Sequence, residues 1–358
     1  MHKVVLVQRF YANFREGLFE SLNENANFYL YCHNVGYGKI KTPKKLKEKS
    51  YYKSLLSIRI YKDFILFPFL FFKLIYLKPS IIVAEGGKNT VNNIHVLLYS
   101  IIFKKPYLIW DLGKAYMDKK TFTLFKLPYV YIQNYIYKRA KKIYTYNNQG
   151  KLYFQKKFPN IETVVLQNTV DTRQIKKILT ASAKFPDDIP HSFQNKRLVL
   201  GYIGSINKKK NTHALKILES LDDIALIIIG DGEKTYVDEL KILFKNIDCA
   251  FVGYKHLQEL RDYYNILDAV IMPGLGGLTI PQSYAFATCV VAVVADGTEK
   301  EIISHNDNGF ILEKISDVLD ILNNVSRKDL KEKGIRGQEK VFTYYSIENY
   351  TRNFLLNL

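Results

Sequence analysis

The strongest constraint on the fold is a series of short, almost wholly apolar runs in the second half of the chain, at residues 198–203, 225–229, 250–252, 269–272 and 290–294. Each is too short for a helix and apolar throughout, so each reads as a strand. Segments of helical composition separate them, at 212–221, 236–245, 257–267 and 282–287. Strands alternating with helices predict an α/β architecture, a parallel sheet with helices on both faces. Runs at 4–7, 81–84 and 107–110 extend the pattern into the first half. Between the halves, residues 181–196 include Pro186, Asp187, Asp188 and Pro190, a composition suited to a linker. The expected organisation is an N-terminal Rossmann-like domain over 1–180, a linker over 181–196 and a C-terminal Rossmann-like domain over 197–340. A last helix within 341–358 would return toward the first domain. Two doubly wound domains facing a central cleft would bind their ligands there, outside the carboxyl ends of the strands.

Charge is divided as unevenly as the pattern is regular. The net charge is +18 over 358 residues. Residues 1–175 hold 29 Lys and Arg against 10 Asp and Glu, whereas residues 176–358 hold 23 against 24. The first half is therefore expected to face something anionic: nucleic acid, phospholipid or a phosphate-bearing substrate. With 47% hydrophobic residues the chain is no disordered polymer. Cys32, Cys249 and Cys289 are widely spaced, which argues against a disulfide framework or a cysteine-rich zinc site and fits a reducing cytoplasm. The N-terminal run reads as a first strand and not as a signal peptide. Residues 39–62, rich in lysine and tyrosine and containing Pro43, read as a basic loop. Residues 64–77 form the longest apolar stretch, but Pro68 and Lys73 interrupt it and it falls short of the roughly 20 residues that span a bilayer. Two readings stand for that stretch: a buried core helix, or a segment lying among lipid headgroups with flanking lysines at the phosphates.

An ordered set of motifs narrows the function. Asn168-Thr169-Val170-Asp171 is followed by Gly201-Tyr202-Ile203-Gly204 running to Lys210-Asn211, then by Ile229-Gly230-Asp231-Gly232-Glu233 and Phe251-Val252-Gly253. Tyr263-Tyr264 with Asp268, Pro273-Gly274-Leu275-Gly276-Gly277-Leu278, Gln282-Ser283-Tyr284-Ala285, Glu301-Ile302-Ile303 and Asn308-Gly309-Phe310 complete the series. In this order the second half resembles the GT-B glycosyltransferases, specifically the large retaining family numbered four, also described as glycosyl transferases group 1, of the bacterial surface-polysaccharide type. The resemblance implies a nucleotide-sugar donor and no catalytic metal or other cofactor. It departs from the family where Ser205 replaces an arginine, and where Gly274 and Gln282 replace two glutamates eight residues apart.

The individual residues admit specific roles. A loop from Gly204 to Lys210 that leaves a buried strand can turn backbone N–H groups toward a diphosphate while Lys210 supplies a point charge; the other reading of Lys208, Lys209 and Lys210 is a solvated loop. Gly276 and Gly277, lacking Cβ, let a ligand approach the amides around Leu278. Gln282 either bonds a ribose hydroxyl or closes a capping box with Thr279. Gly253 and His256 lie near the family's base-binding loop. Asp231 and Glu233 read as turn and cap residues, and no other cluster suggests a metal. In the first half, Arg9 and Arg15 follow the first strand and are candidates for acceptor or phosphate contact, with a surface position the other reading for Arg15. The resemblance places Asp111 where relatives hold a sugar-contacting histidine; an Asp before a glycine at a strand end also commonly forms a turn.

The leading expectation is a cytoplasmic, metal-independent retaining glycosyltransferase, peripherally bound to the inner face of the membrane, acting on a glycan or polyprenyl-diphosphate-linked acceptor. Lys210 and Asp111 are its expected catalytic residues. The departures at 205, 274 and 282 keep open an inactive relative that binds glycans or a partner protein. Nucleic acid is the weaker partner for the basic half, because no helix-turn-helix, RNP or OB-type signature accompanies the charge.

Overall fold

The computed structural model describes residues 3–33, 46–61, 64–113 and 123–358. Residues 39–45 and Lys62 of the expected basic loop lie outside the described residues. The chain divides into two compact units, one built from residues 1–168 and 347–358, the other from 169–346.

Unit 1 runs β1 (Lys3–Phe10), α1 (Glu16–Asn25), β2 (Asn27–His33), β3 (Tyr52–Ser54), β4 (Ile58–Tyr61), β5 (Phe64–Leu66), α2 (Leu70–Leu77), β6 (Ile81–Glu85), α3 (Thr90–Phe103), β7 (Tyr107–Trp110), α4 (Thr123–Lys138), β8 (Lys142–Thr145), α5 (Asn148–Lys157) and β9 (Glu162–Val165). Its parallel sheet has the order β3-β2-β1-β6-β7-β8-β9, and β4 and β5 form a separate antiparallel hairpin. One face of the sheet buries Leu18, Phe19 and Leu22 of α1. The other buries Leu70 and Leu74 of α2, Val96 of α3, and Ile136 and Tyr137 of α4.

Unit 2 contains α6 (Thr172–Leu179), β10 (Leu198–Ile203), β11 (Ile224–Ile229), α7 (Lys234–Leu243), β12 (Asp248–Gly253), α8 (Leu257–Ile266), β13 (Ala269–Met272), α9 (Thr279–Ala285), β14 (Cys289–Val293), α10 (Thr298–Ile302), β15 (Gly309–Leu312), α11 (Val318–Asn324) and α12 (Arg327–Tyr344). Its all-parallel sheet has the order β12-β11-β10-β13-β14-β15. The chain then returns to unit 1 as α13 (Ile347–Leu356), which lays Ile347, Tyr350 and Phe354 on the α1 side of that sheet.

Three features differ from expectation. The division falls at Asn168/Thr169 and not within 181–196. That segment packs inward: Ile189 and Phe193 are buried in the core of unit 2, and Asp188 accepts from Lys255 Nζ at 2.7 Å and from the Tyr263 hydroxyl at 2.6 Å. Its prolines thus shape a packed loop. The expected helix at 212–221 is a 3-10 run over Thr212–Ser220. The apolar stretch 64–77 is not one helix, because it splits into strand β5 and helix α2 on either side of Pro68. Moving the boundary exchanges Arg173 and Asp171 for Arg352 and Glu348, so unit 1 keeps all the excess positive charge. No described helix is long and apolar enough to cross a membrane.

Candidate functional site

In a doubly wound sheet, ligands bind where the strand order reverses, outside the carboxyl ends of the strands. In unit 2 that reversal lies between β10 and β13, the first strand and the fourth. On the β10 side of it, three glycines stand at the ends of neighbouring strands, β10, β11 and the edge strand β12. Gly204 N–H donates to the Ile229 carbonyl at 2.9 Å, and Gly230 N–H donates to the Gly253 carbonyl at 2.8 Å. Gly204, Gly230 and Gly253 all have positive φ, so the chain can turn sharply at each strand end. Because the Gly204 amide is committed to β11, it does not face a diphosphate as expected. Ile206 N–H is likewise taken, by the Asp231 carbonyl at 2.8 Å.

The loop after β10 is instead fastened to the loop after β13. Asn207 caps the 3-10 turn Lys208–Lys210, its Oδ1 accepting from Lys210 N–H at 3.1 Å. Lys210 Nζ donates to the Leu275 carbonyl, Asn211 Nδ2 donates to the Pro273 carbonyl at 3.1 Å, and Thr279 Oγ1 donates to the Ile203 carbonyl at 3.1 Å. These contacts join the loop that carries Gly204, Ser205 and Lys210 to the loop that carries Gly276, Gly277 and Leu278, and Gln282 follows on α9. Burial lowers the Lys210 pKa while nearby Asp296 opposes the shift, and the ammonium is half-buried where Lys208 and Lys209 are exposed. The solvated-loop reading therefore holds for Lys208 and Lys209 only.

Gly274 is where the family resemblance leads one to expect a glutamate. A Cβ there would sit 3.0 Å from the Lys210 carbonyl oxygen, closer than ordinary packing, so the missing side chain is what lets the two loops meet. The capping box does not form. Leu278, not Thr279, occupies the N-cap of α9, no side chain caps it, and Thr279 spends its hydroxyl proton on β10. Gln282 is left half-buried, with no side-chain partner among the described residues. Gly277 has φ +56° and open space where a Cβ would stand. Gly253 and His256 lie at the end of β12, two strands from β10; the exposed His256 starts α8, where its N–H donates to Glu259 Oε2 at 2.7 Å.

Sequence reasoning missed Asn207 and Glu299, and took Thr279 for a cap where it latches onto β10. Glu299 is 1% exposed, its Oε1 accepts from the amides of Ala295 at 2.9 Å and Gly297 at 3.0 Å, and its Oε2 has no partner. The signal available was Asp296-Gly297-Thr298-Glu299 directly after a strand, a glycine turn closed by its own carboxylate.

Unit 1 reverses between β1 and β6. Across that point Arg9 is bound to Glu85: its N–H donates to Oε2 at 2.7 Å, and its Nη2 lies 2.6 Å from Oε1. Arg9 therefore holds two strand ends together and its charge is not free for a phosphate, contrary to expectation. Asp111 is also engaged inside the fold. Its Oδ1 accepts from Gly113 N–H at 3.2 Å and its Oδ2 from the Tyr137 hydroxyl, whose oxygen accepts from Gly87 N–H at 2.8 Å. Any Cβ at Gly86 would meet both Tyr137 and Asp111. Asp111 thus closes its own turn at Gly113, the turn role expected of it, and through Tyr137 braces the Gly86-Gly87 turn. Arg15 is no loose surface residue: its guanidinium lies 4.5 Å from the Trp110 ring, donates to the Tyr146 hydroxyl at 2.5 Å, and leaves Nε buried without a partner.

Burial, opposed by the Tyr137 hydroxyl and the amides of Leu112 and Gly113, pushes the Asp111 pKa up to about 6 from its ordinary 3.8. The folded chain therefore keeps this proton to a higher pH than the unfolded chain. Stability falls as pH rises from about 4 to about 6, by on the order of 3 kcal/mol if no other group compensates. Asp111→Asn is expected to flatten that part of the pH–stability curve, and urea midpoints at pH 4.5 and 7 that fall as steeply as those of the wild type would refute it.

Comparison with known proteins finds a family match within unit 2. Residues 185–333 match the family described as Glycosyl transferases group 1. That segment, within unit 2, is the one that corresponds to a group 1 glycosyltransferase domain. Over 134 residues it is 29% identical to the capsular polysaccharide biosynthesis glycosyltransferase CapM of Staphylococcus aureus, covering 35% of each chain. Over 185 residues it is 28% identical to the lipopolysaccharide 1,2-N-acetylglucosaminetransferase of Salmonella typhimurium, covering 44% of this chain and 46% of that one. These alignments span less than half the length of either relative. The whole fold resembles HepE of Anabaena, solved in complex with UDP, with a TM-score of 0.73 at 16% identity over 99% of both chains. The fold is GT-B.

Proposed function

We propose that this chain is a retaining glycosyltransferase that moves a sugar from a nucleotide diphosphate to a glycan, polyprenyl-diphosphate-linked acceptor in surface polysaccharide synthesis at the cytoplasmic face of the membrane. The observation that carries the reading is the junction of the β10 and β13 loops, where Lys210 presents a half-buried ammonium beside Leu275. The amides of Gly277 and Leu278, which lack an acceptor among the described residues, lie in the same β13 loop. A cation and free amides at a strand reversal suit the developing charge of a departing nucleoside diphosphate. Lys210 supplies the positive charge, so the reading needs no metal or other cofactor. Catalysis then rests on holding donor and acceptor in line and on stabilising the leaving group, with no protein nucleophile. The glycosyltransferase domain and the UDP bound in HepE support a nucleotide-sugar donor; CapM and the Salmonella enzyme support a polysaccharide product; the basic unit 1 supports an anionic acceptor.

The test is donor-dependent release of free nucleoside diphosphate across a panel of nucleotide sugars, with a polyprenyl-diphosphate-linked glycan as acceptor and the product's anomeric configuration read by NMR. Absence of release with every donor, together with absence of any thermal stabilisation by them, overturns the reading. A donor that binds without turnover marks an inactive relative.

Gln282 gives a finer test. Gln282→Glu is expected to leave the melting temperature unchanged, since no internal hydrogen bond is lost, and to tighten donor binding by about 1 kcal/mol through a charge-assisted bond to a ribose hydroxyl. Unchanged donor affinity by calorimetry would remove Gln282 from the site.

A further inference from the structure

The three helices α2, α3 and α4 lie side by side on one face of the unit 1 sheet, with α3 between the other two. Each buries one stripe and also carries a second apolar stripe that points away from the sheet. On α2 and the residue before it, Phe69, Phe72 and Tyr76 are exposed, opposite buried Leu70 and Leu74. On α3, Leu98, Ile101 and Ile102 are exposed, at i, i+3 and i+4, and Phe103 is exposed beside them. On α4, Leu127, Tyr131 and Tyr135 are exposed, at i, i+4 and i+8, together with Ile132. The neighbouring hairpin exposes Ile58 and Ile60 of β4. A helix apolar on all sides is one that expects cover on all sides, and adjoining stripes of this extent exceed the scattered apolar residues of an ordinary soluble surface.

The charge around the stripes says what covers them. Helices α2, α3 and α4 contain no Asp or Glu, while exposed Lys73, Lys78, Lys104, Lys105, Lys138 and Arg139 lie on or directly after them. A second copy of the chain docked about a two-fold axis would set these cations against themselves. An anionic bilayer neutralises them, takes the apolar side chains below the phosphates, and suits the three tyrosine and lysine side chains whose polar ends reach back to water. We propose that the outward face of α2, α3 and α4 is a membrane-docking surface that inserts its aromatic and aliphatic stripes into an anionic leaflet. This deepens the membrane-facing part of the function proposed above, and it moves the contact from residues 64–77 alone to three helices.

The test uses the full chain with sedimented vesicles of phosphatidylglycerol or of phosphatidylcholine, at low and moderate salt. The wild type is expected to prefer phosphatidylglycerol and to keep part of its binding as salt rises. The combined variant Phe72→Gln, Tyr76→Gln, Ile101→Gln, Ile102→Gln alters only exposed positions, so its circular dichroism should match the wild type. It is expected to lose the salt-resistant share and to bind at least about tenfold more weakly. Lys104→Gln with Lys105→Gln should cost about fivefold per lysine at low salt and little at moderate salt. As a control, Ile242→Gln with Tyr344→Gln, exposed apolar residues of unit 2, should bind as the wild type does. Equal, negligible binding to both vesicles, or a four-site variant that binds like the wild type, overturns the proposal. A dimer in solution that the four-site variant returns to monomer assigns the face to a second copy and overturns it as well. Thermal stabilisation by a nucleotide sugar, measured on the same samples, separates the two claims. If it persists while vesicle binding fails, the docking surface falls and the transferase reading stands.

Discussion

Lys210→Ala is expected to lower turnover by about 100-fold or more while shifting stability by only about 1 kcal/mol. The asymmetry follows from where its charge acts. In the resting protein the ammonium makes one hydrogen bond among the described residues, to the Leu275 carbonyl, and a bond of that kind contributes about 1 kcal/mol net. In the transition state the same ammonium would meet a departing diphosphate inside a partly dry site, where removal of one such group typically costs 10²–10³ in rate, about 3 to 4 kcal/mol. The loss should fall on kcat more than on KM, because the interaction strengthens as charge develops. Lys208→Ala and Lys209→Ala, at exposed neighbours of the same loop, should leave turnover near the wild-type value. Nucleoside diphosphate release with saturating donor measures all three. If Lys210→Ala turned over at the wild-type rate, Lys210 would join its neighbours as a solvated residue and the leaving-group assignment would fail. The lowered pKa of Lys210 adds a direction: activity should decline on the alkaline side at a lower pH than an ordinary lysine would set.

The largest stability effect is expected from Gly230→Ala. A Cβ at this position would lie 1.8 Å from the Gly204 carbonyl oxygen and 2.8 Å from its carbon. Neither can yield easily, because Gly204 N–H is bonded to Ile229 at 2.9 Å and Gly230 N–H to Gly253 at 2.8 Å, so the obstruction is backbone locked between strands. Overpacking costs about 1–3 kcal/mol, and a φ of +145° in a residue with a side chain adds about 1–3 kcal/mol. The expected total is about 3 kcal/mol or more, seen as a lower urea midpoint by far-UV circular dichroism. Gly277→Ala is the internal comparison. Its φ is +56° and nothing lies within 4 Å of the added carbon, so only the strain of the left-handed conformation remains, about 1–2 kcal/mol. Equal losses at the two positions would show that the contact between the β10 and β11 ends does not matter to the fold.

Much of the architecture could be read from period and composition. The strand at Ala269–Met272 matches its apolar run residue for residue, and that at Leu198–Ile203 does so as well, because a strand buried on both faces must be apolar throughout and is bounded by polar or glycine residues. Helix α9 was harder: it begins at Thr279, three residues before the sequence suggests, because Thr279 is fixed by a carbonyl of β10 and not by its own turn. Strands β2 and β3 went unread, since Asn27–His33 mixes polar and aromatic residues and Tyr52–Ser54 is only three residues long. The boundary was misread for a related reason: prolines and aspartates mark a loop, but whether a loop is a linker depends on whether Ile189 and Phe193 find a core.

Legible in the sequence alone were two doubly wound units, the glycines at the ends of β10, β11 and β12, and a charge imbalance confined to one unit. Each of these is local or additive: a helical or strand period repeats within a few residues, a turn needs its glycine on the spot, and charge simply sums. Tertiary structure alone decided which candidates hold which partners. Lys210 and Leu275 are 65 positions apart and Arg9 and Glu85 are 76 apart, and no spacing rule links residues that meet only when two strand ends are brought side by side. The same folding step turned Asp111 inward onto Tyr137, withdrew the Gly204 amide into the sheet, and left the outer stripes of α2, α3 and α4 without cover. Apolar residues tell a helix to seek cover, but only the packed chain shows which of its faces has found it.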